Sequence, residues 1–152
     1  MMARHALPGR IESIFLRPLR RAEVGQPSSV IISNNGLAGD HASAGKRAVT
    51  LVQAEHLPVI SALLGIAAVD PAKLRRNLVV SGINLLALRK TRVQIGECIL
   101  LIHGPCPPCS RMEEAFGNGG YSAVRGHGGV YAEVIQPGAI SIGSSVCRWS
   151  GN

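Results

Sequence analysis

Apolar residues recur along the chain in short runs, many with a polar residue at every second place, and glycine or proline separates one run from the next. Val130, Ala132 and Val134 alternate with Tyr131 and Glu133, the period-two pattern of a strand with one buried face. The same reading predicts strands over residues 10–17, 28–33, 48–53, 77–81, 92–95, 98–103, 130–135 and 145–149. Gly96-Glu97 between two apolar runs predicts a tight turn. The period lengthens once. Leu57, Ile60 and Leu64 fall on one helical face, Pro58 suits a first turn and Gly65 a C-terminal cap, so a helix is expected over 54–64. That apolar stripe reads as core packing. A shorter helix is expected over 110–116, stopped by Gly117, and residues 117–129 show no clear pattern.

Eighteen glycines in 152 residues imply many turns between short elements. The fold expected is therefore mainly β, a barrel with a few short helices, in a single domain spanning 1–152. Apolar residues make up 46% and aromatics 3%, so the core must be aliphatic. No apolar run is long enough to span a bilayer, and residues 1–10 hold no apolar segment of a secretory signal. The expectation is a cytoplasmic protein with no membrane partner and reduced thiols at its four cysteines.

A net charge of +7 favours anionic partners. The basic residues form short clusters: Arg17 with Arg20 and Arg21, Lys46-Arg47, Lys73 with Arg75-Arg76, and Arg89-Lys90 with Arg92. Most read as solvated surface. Scarce aromatics leave little for base stacking, so nucleic acid is not the expected partner.

Chemistry concentrates in Gly104-Pro105-Cys106-Pro107-Pro108-Cys109-Ser110-Arg111, between an apolar strand and the second predicted helix. A helix N-terminus and Arg111 both favour a thiolate at Cys109. The two cysteines could be a redox pair, though the alternating strands and helices of a thioredoxin-like fold are lacking. They could be half of a zinc site completed from Cys98, His103, His127 or Cys147, though no second cysteine pair exists. They could supply one functional thiol with Cys106 as its neighbour, or two inert buried thiols in a turn.

Several further blocks, in order, resemble the MOSC domain, the C-terminal domain of molybdenum-cofactor sulfurases and of their stand-alone bacterial relatives. They are Gly36-Leu37-Ala38-Gly39-Asp40-His41, Lys46 to Val52 with Glu55-His56, Leu74 to Leu85, Val93 to Glu97, Pro105 to Met112, and Gly128 to Val134. Gly143-Ser144-Ser145 and Glu97 depart from the family pattern, at turns away from the thiol. The resemblance implies a MOSC-type β-barrel that binds molybdenum cofactor (molybdopterin), without pyridoxal phosphate. It puts Cys109 at the family's cysteine position, where that residue ligates molybdenum or carries sulfur as a persulfide.

Arg75, Arg76, Lys46, Arg47 and Arg111 are then suited to the anionic cofactor, and Asn77 to the pterin edge. His41 and His127 are candidate pocket residues, and Gly126-His127-Gly128-Gly129 could bring backbone N–H groups to an anion. Each has a plainer reading too: Arg75 and Arg76 cannot both face inward, Asp40 could simply shape a turn, His56 and His103 could be surface or packed histidines, and Cys98 could be core. Three functions stay open. One is molybdenum-dependent reduction of N-hydroxylated substrates with a redox partner. The others are sulfur transfer fed by a cysteine desulfurase, and cofactor carriage without catalysis.

Overall fold

Seven strands close on themselves in the computed structural model, which describes residues 7–17, 24–42, 44–106 and 111–150, without the Arg111 side chain. In chain order the strands are β1 (Gly9–Ile14), β2 (Ser29–Ser33), β3 (Gly36–Leu37), β4 (Val49–Gln53), β5 (Leu78–Ser81), β6 (Arg92–Ile95), β7 (Cys98–Pro105), β8 (Val130–Gln136), β9 (Gly138–Ser141) and β10 (Ser145–Arg148). The barrel runs β1-β10-β6-β7-β8-β4-β5 and back to β1, and β3-β2-β9 form a separate three-stranded sheet. The mainly β barrel expected from the sequence is thus present. Helices α1 (Leu57–Leu64), α2 (Arg111–Phe116) and α3 (Gly120–Val124) complete it, with short 3-10 turns at Ala54–His56, Pro71–Leu74 and Leu85–Leu88.

All barrel pairings are antiparallel except β4 with β5, which run parallel with Leu51 beside Leu78. A parallel pair needs a crossover, and α1 lies within it. This pair is also buried on both sides, which is why β4 and β5 read as nearly unbroken apolar runs. Val49, Leu51, Leu78 and Val80 fill the barrel with Ile11, Ile95, Leu100, Ile102 and Ala132. Val52 and Val79 point outward into a second core with Phe15, Ile60, Leu74, Met112 and Val124. The predicted stripe on α1 packs there: Ile60 is fully buried, with Leu57 and Leu64 against the same cluster.

The expected helix over 54–64 begins as a 3-10 turn and becomes α-helical only at Leu57, beside Pro58. Gly65 caps it in the left-handed region, φ 71°. Two strands went unpredicted. Gly36–Leu37 is too short to show a period, and Gly138–Ser141 follows Pro137, so β8 and β9 read as one segment ending early. Helix α3 escaped notice because it is short and starts at glycine.

One buried polar network ties the two cores together. Asn77 is fully buried beside the start of β5, and its Oδ1 accepts from the Thr50 amide (3.0 Å), the Thr50 hydroxyl (3.2 Å) and Arg17 Nη2 (3.3 Å). Its Nδ2 donates to the Phe15 carbonyl at 3.3 Å, and its own carbonyl accepts from the Phe15 amide at 2.7 Å. One carboxamide therefore links β1, β4 and the approach to β5.

Asn77→Ala would leave the Thr50 amide and Arg17 without this acceptor. The expected loss is about 3 kcal/mol, read as a lower urea midpoint at unchanged slope. Asn84→Ala removes an exposed helix cap to Leu86 and should cost about 1 kcal/mol. Equal losses for the two variants would contradict the keystone role of Asn77. Gly129 adopts φ 95°, and a methyl there would collide with the Leu51 carbonyl. Gly129→Ala should therefore destabilise by more than about 2 kcal/mol, whereas Gly126→Ala, with open space around it but φ 86°, should cost less.

Candidate functional site

Strand alternation fixes the floor of the site. Val49 and Leu51 face the barrel interior, so Thr50 between them faces out. Register places Thr50 opposite Tyr131 on β8, and Tyr131 opposite Gly104 on β7. The Asn77 amide donates to the Thr50 carbonyl at 3.0 Å. A polar row, Asn77-Thr50-Tyr131-Gly104, thus crosses the outer wall of the barrel. A bulge between Ile102 and Gly104 shifts β7 so that the chain leaves the sheet at Pro105 and delivers Cys106 beside the loop before β8. There the Cys106 amide donates to the Gly129 carbonyl at 2.8 Å.

Arginines surround this floor. Arg17 forms a two-pronged pair with Asp40, Nε to Oδ1 at 3.1 Å and Nη2 to Oδ2 at 3.0 Å, and the Asp40 carboxylate is wholly buried. Its Nη1 donates to the Arg75 carbonyl at 2.7 Å. That contact grips the turn in which Arg75 takes a left-handed φ of 54°. Arg76 Nε donates to the Gly128 carbonyl at 2.6 Å, and its two terminal nitrogens make no hydrogen bond among the described residues. Arg47 lies over the Tyr131 ring, 4.5 Å from its centroid.

These three guanidinium groups bear on one buried thiol. Burial pushes the Cys106 thiol up, and the positive charges of Arg76, then Arg47, then Arg17 oppose that shift. Cys98, with no such neighbours, is pushed up to about 12 by burial alone, in keeping with its expected place in the core. Next to the arginines, on β7 and β8, His103 Nε2 and Glu133 Oε1 pair at 2.9 Å, and the imidazole lies stacked beside Tyr131.

The sequence-predicted residues divide among these places. Arg76 and Arg47 come together around Cys106. Arg75 is half-buried and enters the site through its carbonyl. Asn77 is fully buried, with its amide oxygen bonded to Thr50 and Arg17 and its amide nitrogen to the Phe15 carbonyl. Lys46 and His41 are exposed, the latter with its amide on the Arg17 carbonyl. His127 sits on the glycine loop facing His56. Cys109 and the side chain of Arg111 lie outside the described residues. Arg17 and Asp40 were not singled out, since an arginine grouped with Arg20 and Arg21 reads as surface. The Gly39-Asp40 pair was the one available signal.

Among the described residues, Cys98, Cys106 and Cys147 are free thiols, and no group of three or more histidines, cysteines or acids could hold a metal ion. The zinc alternative drawn on Cys98, His103, His127 and Cys147 therefore finds no cluster in them. An apolar groove on the three-stranded sheet, lined by Leu16, Val30, Ile31, Ala38 and Ala139, carries no titratable group. No helix among the described residues is long and apolar enough to cross a membrane.

Comparison with solved structures finds the same fold. YuaD from Bacillus subtilis superposes with a TM-score of 0.81 at 19% identity, covering 92% of this chain and 94% of that one. YiiM from Geobacillus stearothermophilus gives 0.75 at 17% identity over 94% and 76% of the two chains. YiiM from Escherichia coli gives 0.69 at 21% over 94% and 71%. No curated protein matches the chain. The MOSC domain profile matches residues 38–147, a span that takes in Asp40, Arg47, Arg76, Cys106 and the glycine loop, and the chain belongs to the MOSC domain family.

Proposed function

We propose that this protein binds molybdenum cofactor on the outer barrel wall, with the Cys109 thiolate as molybdenum ligand, and reduces N-hydroxylated substrates. The observation that carries the reading is that Arg76 bonds the Gly128 carbonyl while the adjacent Gly129 carbonyl holds the Cys106 amide, three positions before Cys109 in the chain, with Arg47 over Tyr131 on the neighbouring strand. The residues present fit an anionic, phosphate-bearing group. Arg76 has terminal N–H donors unspent among the described residues, and Arg47 makes no ion pair among them. Gly128 brings backbone close to Arg76.

Each residue has a separate task. Arg76, anchored by Gly128, presents a planar fork to phosphate, and Arg47, over the Tyr131 ring, adds a second cation. Asp40 neutralises and orients Arg17, which in turn holds the Arg75 turn so that Arg76 points at the glycine loop. Asn77 fixes the floor beneath them. When bound, the cofactor would supply a two-electron oxygen-transfer centre recharged by a partner redox protein. The His103–Glu133 pair stands beside Tyr131 as a group able to hold or release a proton at His103 Nε2.

The test is molybdenum and pterin content after production in a host that makes the cofactor. Wild type should carry both, Cys109→Ala should lose molybdenum by about tenfold or more, and Arg76→Ala should lose pterin along with it. Unchanged molybdenum in Cys109→Ala would overturn the ligand assignment. A metal-free wild type with a sulfane sulfur on the Cys109 peptide would establish the persulfide carrier in its place. Bound cofactor without turnover of any N-hydroxylated compound would leave cofactor carriage as the function.

A further inference from the structure

The loop before β8 makes three contacts within three residues. The His127 amide donates to the Val124 carbonyl at 2.8 Å, the Gly128 carbonyl holds Arg76 Nε, and the Gly129 carbonyl holds the Cys106 amide. Gly126 and Gly129 flank this stretch in left-handed conformations, φ 86° and 95°. The His127 side chain turns the other way and meets His56 of the 3-10 turn after β4, with ring centroids 5.6 Å apart and planes at 78°. A small cavity borders His56, lined also by Gln53, Leu85, Leu86 and Val130, none of them charged.

We propose that His56 is a positioning residue. Its edge-to-face contact with His127 latches the loop that seats Arg76 and Cys106, and charging the pair releases that loop as pH falls. The effect on anion binding rests on the function proposed above; the movement of the loop does not.

The charges around the pair set the sign. Burial first, and the His127 charge second, hold His56 below the usual imidazole range, while the neighbouring Glu55 pulls the other way. Glu55 is exposed, and its carboxylate accepts the Gly82 amide at 3.0 Å. The Arg76 guanidinium at Gly128 is a further fixed positive charge on the same loop. The closed loop therefore prefers His56 neutral. An open loop returns the imidazole to solvent, where it takes a proton near pH 6.5. Opening is favoured as pH falls through and below that value, and the latch is fully closed above it.

Hydrogen exchange at the Cys106 amide reads the latch directly, because that amide is bonded to Gly129. Measured by NMR at about pH 7.5 and about pH 5.5 and corrected for intrinsic exchange, its protection should fall about threefold or more in wild type. In His56→Gln, similar in size but uncharged, protection should be the same at both values. The Leu100 amide within the β7 ladder should not respond in either protein. Constant Cys106 protection in wild type would overturn the proposal. So would an undiminished drop in His56→Gln, or a parallel drop at Leu100, which would mark global loosening. None of these outcomes depends on cofactor, so failure of the latch and failure of the cofactor reading are told apart by exchange and by molybdenum content.

Discussion

A buried amide must find partners for both its oxygen and its nitrogen or destabilise the core that encloses it. At Asn77 that requirement organises the molecule. The Oδ1 atom gathers Thr50 from β4 and Arg17 from the end of β1, and Nδ2 takes the carbonyl of Phe15. Parallel pairing of β4 with β5 gives no hairpin to fix its own register, since about two dozen residues separate the strands. The Asn77–Thr50 bonds fix it locally instead. In a low-dielectric interior these bonds are strong when complete and costly when one is missing. A shift of one residue would both break them and turn Leu78 and Val80 out of the barrel.

The same network aims the functional groups. Arg17 reaches Asn77 only by passing Asp40 and the Arg75 carbonyl, and binding that carbonyl holds Arg75 left-handed. The next residue, Arg76, is thereby directed across the outer wall to Gly128. Fold and site thus share one set of hydrogen bonds, with Asn77 serving the first so that its neighbour can serve the second.

What the sequence disclosed follows from this division. Alternation in Val130–Gln136 and the α1 stripe are records of burial on one face, a property of single segments, and both were readable. Strands β4 and β5 were expected too, though their parallel pairing shows only in the structure. The two-residue β3, the β9 strand after Pro137 and the glycine-led α3 carry too little local pattern to be seen. At the site, Arg75, Arg76 and Arg47 were found as candidates, yet nothing local distinguishes Arg17, with its carboxylate 23 positions away, from a solvated arginine. Asn77 was singled out for a pterin edge, and the structure shows its amide bonded to Thr50, Arg17 and Phe15, partners that no local pattern announces.

Charge balance at the site supplies the remaining step. Arg17 is neutralised by Asp40, whereas Arg76 and Arg47 have no carboxylate partner among the described residues. Burial keeps the Cys106 thiol protonated against their pull, so it does not act as their counter-charge. One is oriented by a carbonyl and the other by an aromatic face, and neither contact is an ion pair. Such uncompensated cations favour an anion that can reach either of them. Affinity for an anionic group and stability of the barrel wall are in this way two readings of the same charges, linked by mass action.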